Sequence, residues 1–246
     1  MASGEVEAYG SAAGVQPAFT AGAVQANFLH SVDTTSASVA PMSVPAPCAQ
    51  RAAFVPAPGE PLSATLKAAT RSTHERLDQR LMALGIFDDR SDYLRFLQVQ
   101  AQFHGAVAPL YLRHDLSLAA AEPCRHAKVL ADLADLGAHA AVPVADAPSL
   151  AAAPLSVALG WWYVAEGSSM GAAVLLQHAA RLGLHVGFGA RHLAPAAAGV
   201  AAHWRSVRAA MDAIVLTDAH RAQAAAAACA AFEFVGRRVD EAFRNA

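Results

Sequence analysis

The chain has 246 residues, 55% of them hydrophobic, with a formal net charge of −2, which gives room for one domain with a sizeable core and a surplus segment. That near-neutral balance excludes nucleic acid or an anionic membrane surface as the main expected partner, and no apolar stretch approaches the roughly 18 residues of a membrane span. Cys48, Cys124 and Cys229 form no CxxC pair, so neither a disulfide framework nor a zinc site is expected, and a reducing cytoplasm fits.

Residues 1–60 carry prolines at 17, 41, 45, 47, 56 and 58 among Ser, Ala and Gly, with no persistent period; they read as a disordered tail or an over-extended start, Met42 being an internal alternative. Glu5 and Glu7 stand where a secretory signal would be basic, so export is not indicated. The folded domain is expected over 61–246. The hydrophobic excess there is largely alanine, which loses no side-chain entropy in a helix, and the expected class is all-α.

In chain order, Ser63 is expected to cap a first helix through Leu66, Leu77, Leu81 and Leu84, stopped by Gly85. A second follows the turn 88–91 and ends near Pro109. A third begins at Pro123 and runs to Gly137. A long fourth covers Ser156 to Gly183, a loop reaches Gly199, a fifth helix passes Trp204 and Met211, and Thr217 caps the last. No internal repeat is present.

Two patterns bear on chemistry. Lys67, Arg71 and His74 stand at i, i+4 and i+7 of the first helix, nearly in one line at about 100° per residue. Two cations and an imidazole suit a ligand with an anionic edge and a metal centre, of which heme is one; a solvated basic face is the commoner use of such a stripe. In the fourth helix, Gly167-Ser168-Ser169-Met170-Gly171 places two glycines four residues apart, each costing roughly 1 kcal/mol against alanine. They strip one face, admit a flat ligand close to the backbone, permit a kink, or serve helix–helix packing. Arg205 and Arg208 beside Trp204 offer a further cationic patch, or an ordinary surface pair.

The run from Leu66 to His74 resembles the opening helix of heme oxygenases, and Tyr163 to Gly171 resembles their distal helix, especially that of bacterial members associated with bacteriophytochromes. The resemblance covers roughly residues 61–245. It implies a single-domain helical bundle that cleaves heme oxidatively with dioxygen to biliverdin, carbon monoxide and ferrous iron, heme being substrate and cofactor at once. His74 would be the axial iron ligand, and Lys67, Arg71 and Arg208 the propionate partners. Gly167, Ser168 and Gly171 would lie over the iron. An external electron donor of ferredoxin or reductase type is implied, with a bacteriophytochrome as a recipient of biliverdin. Animal members carry aspartate where Ser168 stands, so either Ser168 or Glu166 would order the distal water, and Ala172 replaces a frequent glycine. Two alternatives remain: a heme-binding protein of the same fold for storage or sensing, and a heme-free thiaminase-like enzyme, against which His74 and its cation stripe argue.

Overall fold

The structure is a computed structural model that describes residues 59–116, 124–141 and 146–244. The expected tail, Gly59 and Glu60 excepted, and Pro123 therefore lie outside the described residues. Within them the fold is all-α: α1 (Leu62–Ala83), α2 (Arg90–Val107), α3 (His126–Asp135), α4 (Leu155–Gly167), α5 (Ala172–Arg181), α6 (Val200–Asp212) and α7 (Asp218–Ala242), with short 3₁₀ turns between several of them.

Helix starts follow local chemistry where a cap is present. Asp89 accepts from the backbone N–H groups of Ser91 and Asp92 at 2.7 and 2.8 Å and opens α2. Thr217 accepts from the N–H of His220 and opens α7. Ser63 does not cap α1: Pro61 holds the cap position, and the buried Ser63 hydroxyl donates to Asp212 at 2.8 Å, tying α1 to α6. At the other end of α1, Gly85 adopts φ +61, which ends the helix as expected.

The long fourth helix is two helices. Its ladder breaks after Gly167 into a 3₁₀ turn, Ser168–Met170, before α5 begins at Ala172. The hydroxyls of Ser168 and Ser169 return to the carbonyls of Ala165 and Glu166, both at 2.7 Å, and so compete with helical pairing at this turn.

The core is centred on α4, almost wholly buried, with α7 packed along it. Gly160 makes this approach possible, since a Cβ there would stand 2.3 Å from the carbonyl oxygen of Ala224 and 2.7 Å from the nitrogen of Ala228. On the inner side of α7, Ala224, Ala225, Ala227, Ala228 and Ala231 are buried. Much of the alanine excess thus serves close packing as well as helix propensity. Trp162, Tyr93 and Phe234 are the largest fully buried side chains, each contributing roughly 1.5–3 kcal/mol by burial.

Candidate active site

Where α1, α2, the break after α4 and α7 meet, the packing leaves a cavity of about 90 Å³. Its wall is largely apolar, with Leu77, Leu81, Phe96, Phe103, Val164 and Leu175 among its side chains, and its polar members are few: His74, Asp78, Gln100, His104, Arg125, Ser168 and His192.

His74 enters from the inner side of α1. Its ring stands edge-on to Phe232 of α7 at a centroid distance of 5.2 Å, and its Nδ1 lies 3.0 Å from Oδ2 of Asp78, one turn further along α1. A carboxylate on Nδ1 fixes ring orientation and leaves Nε2 toward a ligand, the arrangement found behind metal-ligating histidines.

The break after α4 brings Ser168 into the wall. Its hydroxyl donates to the carbonyl of Ala165 and accepts from Nη1 of Arg125 at 3.3 Å, and the same Nη1 donates to the Ala165 carbonyl at 3.3 Å. Gly167 and Gly171 flank this turn, both buried, with φ/ψ of −61/−30 and −84/−13. Neither needs a left-handed conformation, so their value is the absence of a side chain. Ala172, which follows, does present its methyl to the cavity.

Two further histidines line the wall. Asp132 of α3, fully buried, accepts from the backbone N–H groups of Arg191 and His192 and holds Nδ1 of His192 at 2.8 Å. Nδ1 of His104 and Nε2 of His192 are buried with no hydrogen-bond partner among the described residues, an unusual condition for buried polar atoms and one that suits a polar guest. Burial pushes both imidazoles below the ordinary histidine range; Arg125 reinforces this for each, while Asp132 pulls His192 back part of the way.

Lys67, Arg71 and Arg208 are placed differently from His74. All three are exposed and lie off the cavity wall. Arg71 pairs with Glu75 at 3.1 Å on the solvent face, and Nε of Arg208 reaches the hydroxyl of Ser63 at 3.4 Å. Glu166 also faces away from the cavity, its carboxylate engaged by Tyr111 and His203. Of the two groups considered for ordering distal water, Ser168 alone lines the cavity. Asp78, Gln100, His104, Arg125 and His192 did not stand out in the sequence: Asp78 follows His74 at i+4 on α1, a common helical spacing, Gln100 and His104 share α2, and Arg125 and His192 come from other segments.

The heme oxygenase family model matches residues 60–241. The chain belongs to the heme oxygenase family. It is 38% identical over 186 residues to heme oxygenase PigA of Pseudomonas aeruginosa, a match covering 74% of this chain and 92% of that protein. Among solved structures it is similar to the NO- and CO-bound heme oxygenase of Neisseria meningitidis, with a TM-score of 0.70, 35% identity, and coverage of 76% of this chain and 94% of that one. Heme oxygenases are heme-degrading oxidoreductases, which agrees with the expected class, and the all-α fold is shared. No helix among the described residues is long and apolar enough to cross a membrane.

Proposed function

We propose that this heme oxygenase binds heme through His74 and opens its porphyrin ring with dioxygen, releasing biliverdin, carbon monoxide and ferrous iron. The observation that carries the reading is the pairing of His74 with Asp78 in the wall of an apolar cavity that also takes in Ser168. With Nδ1 engaged by the carboxylate, Nε2 is the nitrogen offered to iron. The donor set fits heme, and the unpartnered nitrogens of His104 and His192 suit water or a polar ligand atom beside it.

The fit carries one condition. A cavity of about 90 Å³ is well below the roughly 300 Å³ at which small-molecule pockets begin. Admission of a porphyrin therefore requires α1 and the α4–α5 segment to part, and the break at 168–170 is the place in α4–α5 where the helical ladder is already interrupted.

Bound heme supplies the iron that activates dioxygen and is itself the molecule oxidised. The protein's part is to hold and to shield. His74 would hold the iron, the apolar wall excludes bulk water, and Arg125 and the Ala165 carbonyl fix the Ser168 hydroxyl, whose remaining lone pair can accept a hydrogen bond at the cavity surface. Asp132 holds His192 with Nδ1 occupied, leaving Nε2 toward the remaining polar set. Lys67, Arg71 and Arg208, exposed and off the cavity wall, are proposed as the propionate partners.

Electrons are proposed to come from an external ferredoxin or reductase in the cytoplasm, with biliverdin passing to a bacteriophytochrome. Adding heme and then ascorbate or a ferredoxin system to the purified protein tests the reading by visible absorption. Conversion of the heme bands to a biliverdin spectrum supports it; heme bands that persist under oxygen and reductant would instead indicate a storage or sensing protein.

A further inference from the structure

The penultimate residue of α4 carries a buried carboxylate that the chemistry above leaves unused. Glu166 is 2% exposed. Its Oε1 accepts from the Tyr111 hydroxyl at 2.6 Å, and its Oε2 lies 2.7 Å from Nε2 of the buried His203. The two partners come from different parts of the chain: Tyr111 from the 3₁₀ turn Ala108–Leu112 that follows α2, and His203 from the first half of α6. The carboxylate thus ties α4 to two other elements at the residue before Gly167.

Packing alone does not call for this arrangement. A carboxylate removed from water is costly unless its oxygens are satisfied, and an apolar residue of similar volume is often as good for stability. The position, however, has a particular mechanical problem. Immediately after Glu166 the helix passes through a glycine, loses its ladder for one turn and regains it after a second glycine. Glycines do not specify their own dihedrals, so the course of this turn must be set from outside it. The backbone of the same residues carries the turn: the Glu166 carbonyl accepts from Ser169, and the Ala165 carbonyl accepts from Ser168 and Arg125. Side chain and backbone of one residue therefore connect an external anchor to the segment that presents Ser168.

We propose that Glu166, clamped by Tyr111 and His203, is a positioning residue that fixes the break between α4 and α5 and thereby places Ser168 and Arg125 in the heme cavity. Burial, with Glu166 beside it, holds the Tyr111 phenol well above its ordinary range, so it remains a donor at any working pH. The placement of the heme in this inference rests on the function proposed above; the clamp itself does not.

The experiment uses the full chain and two variants that preserve shape, Tyr111→Phe and Glu166→Gln. Backbone hydrogen exchange is followed by mass spectrometry on heme-free protein, and the visible spectrum of the ferric complex is recorded after heme addition. Loss of one charge-assisted hydrogen bond should speed exchange over residues 163–172 about tenfold, with α2 and α7 unchanged. The heme complex should retain histidine ligation but show a shifted balance of high-spin and low-spin ferric iron. Exchange at the parental rate overturns the proposal, and so does faster exchange spread over the whole chain, which would mark Glu166 as a general stability element. Localised loosening with an unaltered spectrum overturns it as well, since the break would then not govern the site. Should the unsubstituted protein give no histidine-ligated spectrum, the functional reading fails, and the exchange data alone decide the clamp.

Discussion

Nδ1 of His74 and Oδ2 of Asp78 lie 3.0 Å apart across one turn of α1. The carboxylate holds the imidazole against free rotation and, on the proposed function, leaves Nε2 as the nitrogen offered to iron. Asp78→Asn should therefore leave the heme-free fold intact and lower heme affinity about ten- to a hundredfold. His74→Ala should lose the histidine-ligated ferric spectrum and nearly all turnover, with external imidazole restoring part of both. A His74→Ala spectrum identical to the parent's would remove His74 as the axial ligand.

The buried imidazoles predict a pH dependence of stability in the heme-free protein. Burial holds His104 and His192 below the ordinary histidine range, whereas in the unfolded chain both titrate near 6.5. Below that pH the unfolded state takes up protons that the native state refuses. Stability is thus fully present above about pH 6.5 and falls as the pH drops toward the folded values, by up to about 1.4 kcal/mol per pH unit for each group. His126 and His178, lowered by burial but less enclosed, act in the same direction. Melting temperature should decline between about pH 7 and pH 5, and His104→Gln should flatten that decline. A profile unaffected by the substitution would exclude His104 as a contributor.

Thr217 and Gly85 were legible as cap and stop, and the alanine content declared the class. Ser63 misled, since Pro61 holds the cap position of α1, and Asp89 was read only as part of a turn although it caps α2. The break at 168–170 was less legible because Trp161 to Leu176 reads as one apolar helix; what interrupts it is the return of two serine hydroxyls to the backbone. His74 could be found because its surroundings resemble a family motif. His104, Arg125 and His192 could not, since each belongs to a different element and only the packing of α2, α3 and the 191–193 turn brings them to one wall. Lys67 and Arg71 show the opposite limit: their register with His74 was visible, but one helix line spans both the solvent face and the edge of the core.

Deleting residues 1–58 should leave melting temperature and heme affinity nearly unchanged. The prediction rests on composition, since that segment has no apolar period with which to join a core, and the family match begins only at residue 60. A fall of many degrees in melting temperature would show that the segment packs on the domain.

The glycines of α4 offer the sharpest contrast, because one helix contains two kinds. At Gly160 a Cβ would strike the backbone of α7 at 2.3 and 2.7 Å, and backbone cannot move aside as a flexible side chain can. Gly160→Ala should destabilise the heme-free protein by about 1–3 kcal/mol or more, as overpacking does. Gly167 and Gly171 have right-handed dihedrals that alanine accepts readily, so Gly167→Ala and Gly171→Ala should leave the heme-free protein folded, and more stable by up to about 1 kcal/mol. On the proposed function, a methyl there should matter only once heme is bound and the turn lies close over the ring. Biliverdin yield in a single turnover should then fall in both variants while heme still binds. Melting temperature of the heme-free protein and single-turnover yield, measured side by side for the three variants, separate packing from chemistry. If Gly167→Ala and Gly171→Ala behave like Gly160→Ala, losing several kcal/mol of stability with normal yield in the folded fraction, these glycines serve helix packing, and close approach to heme is not their role.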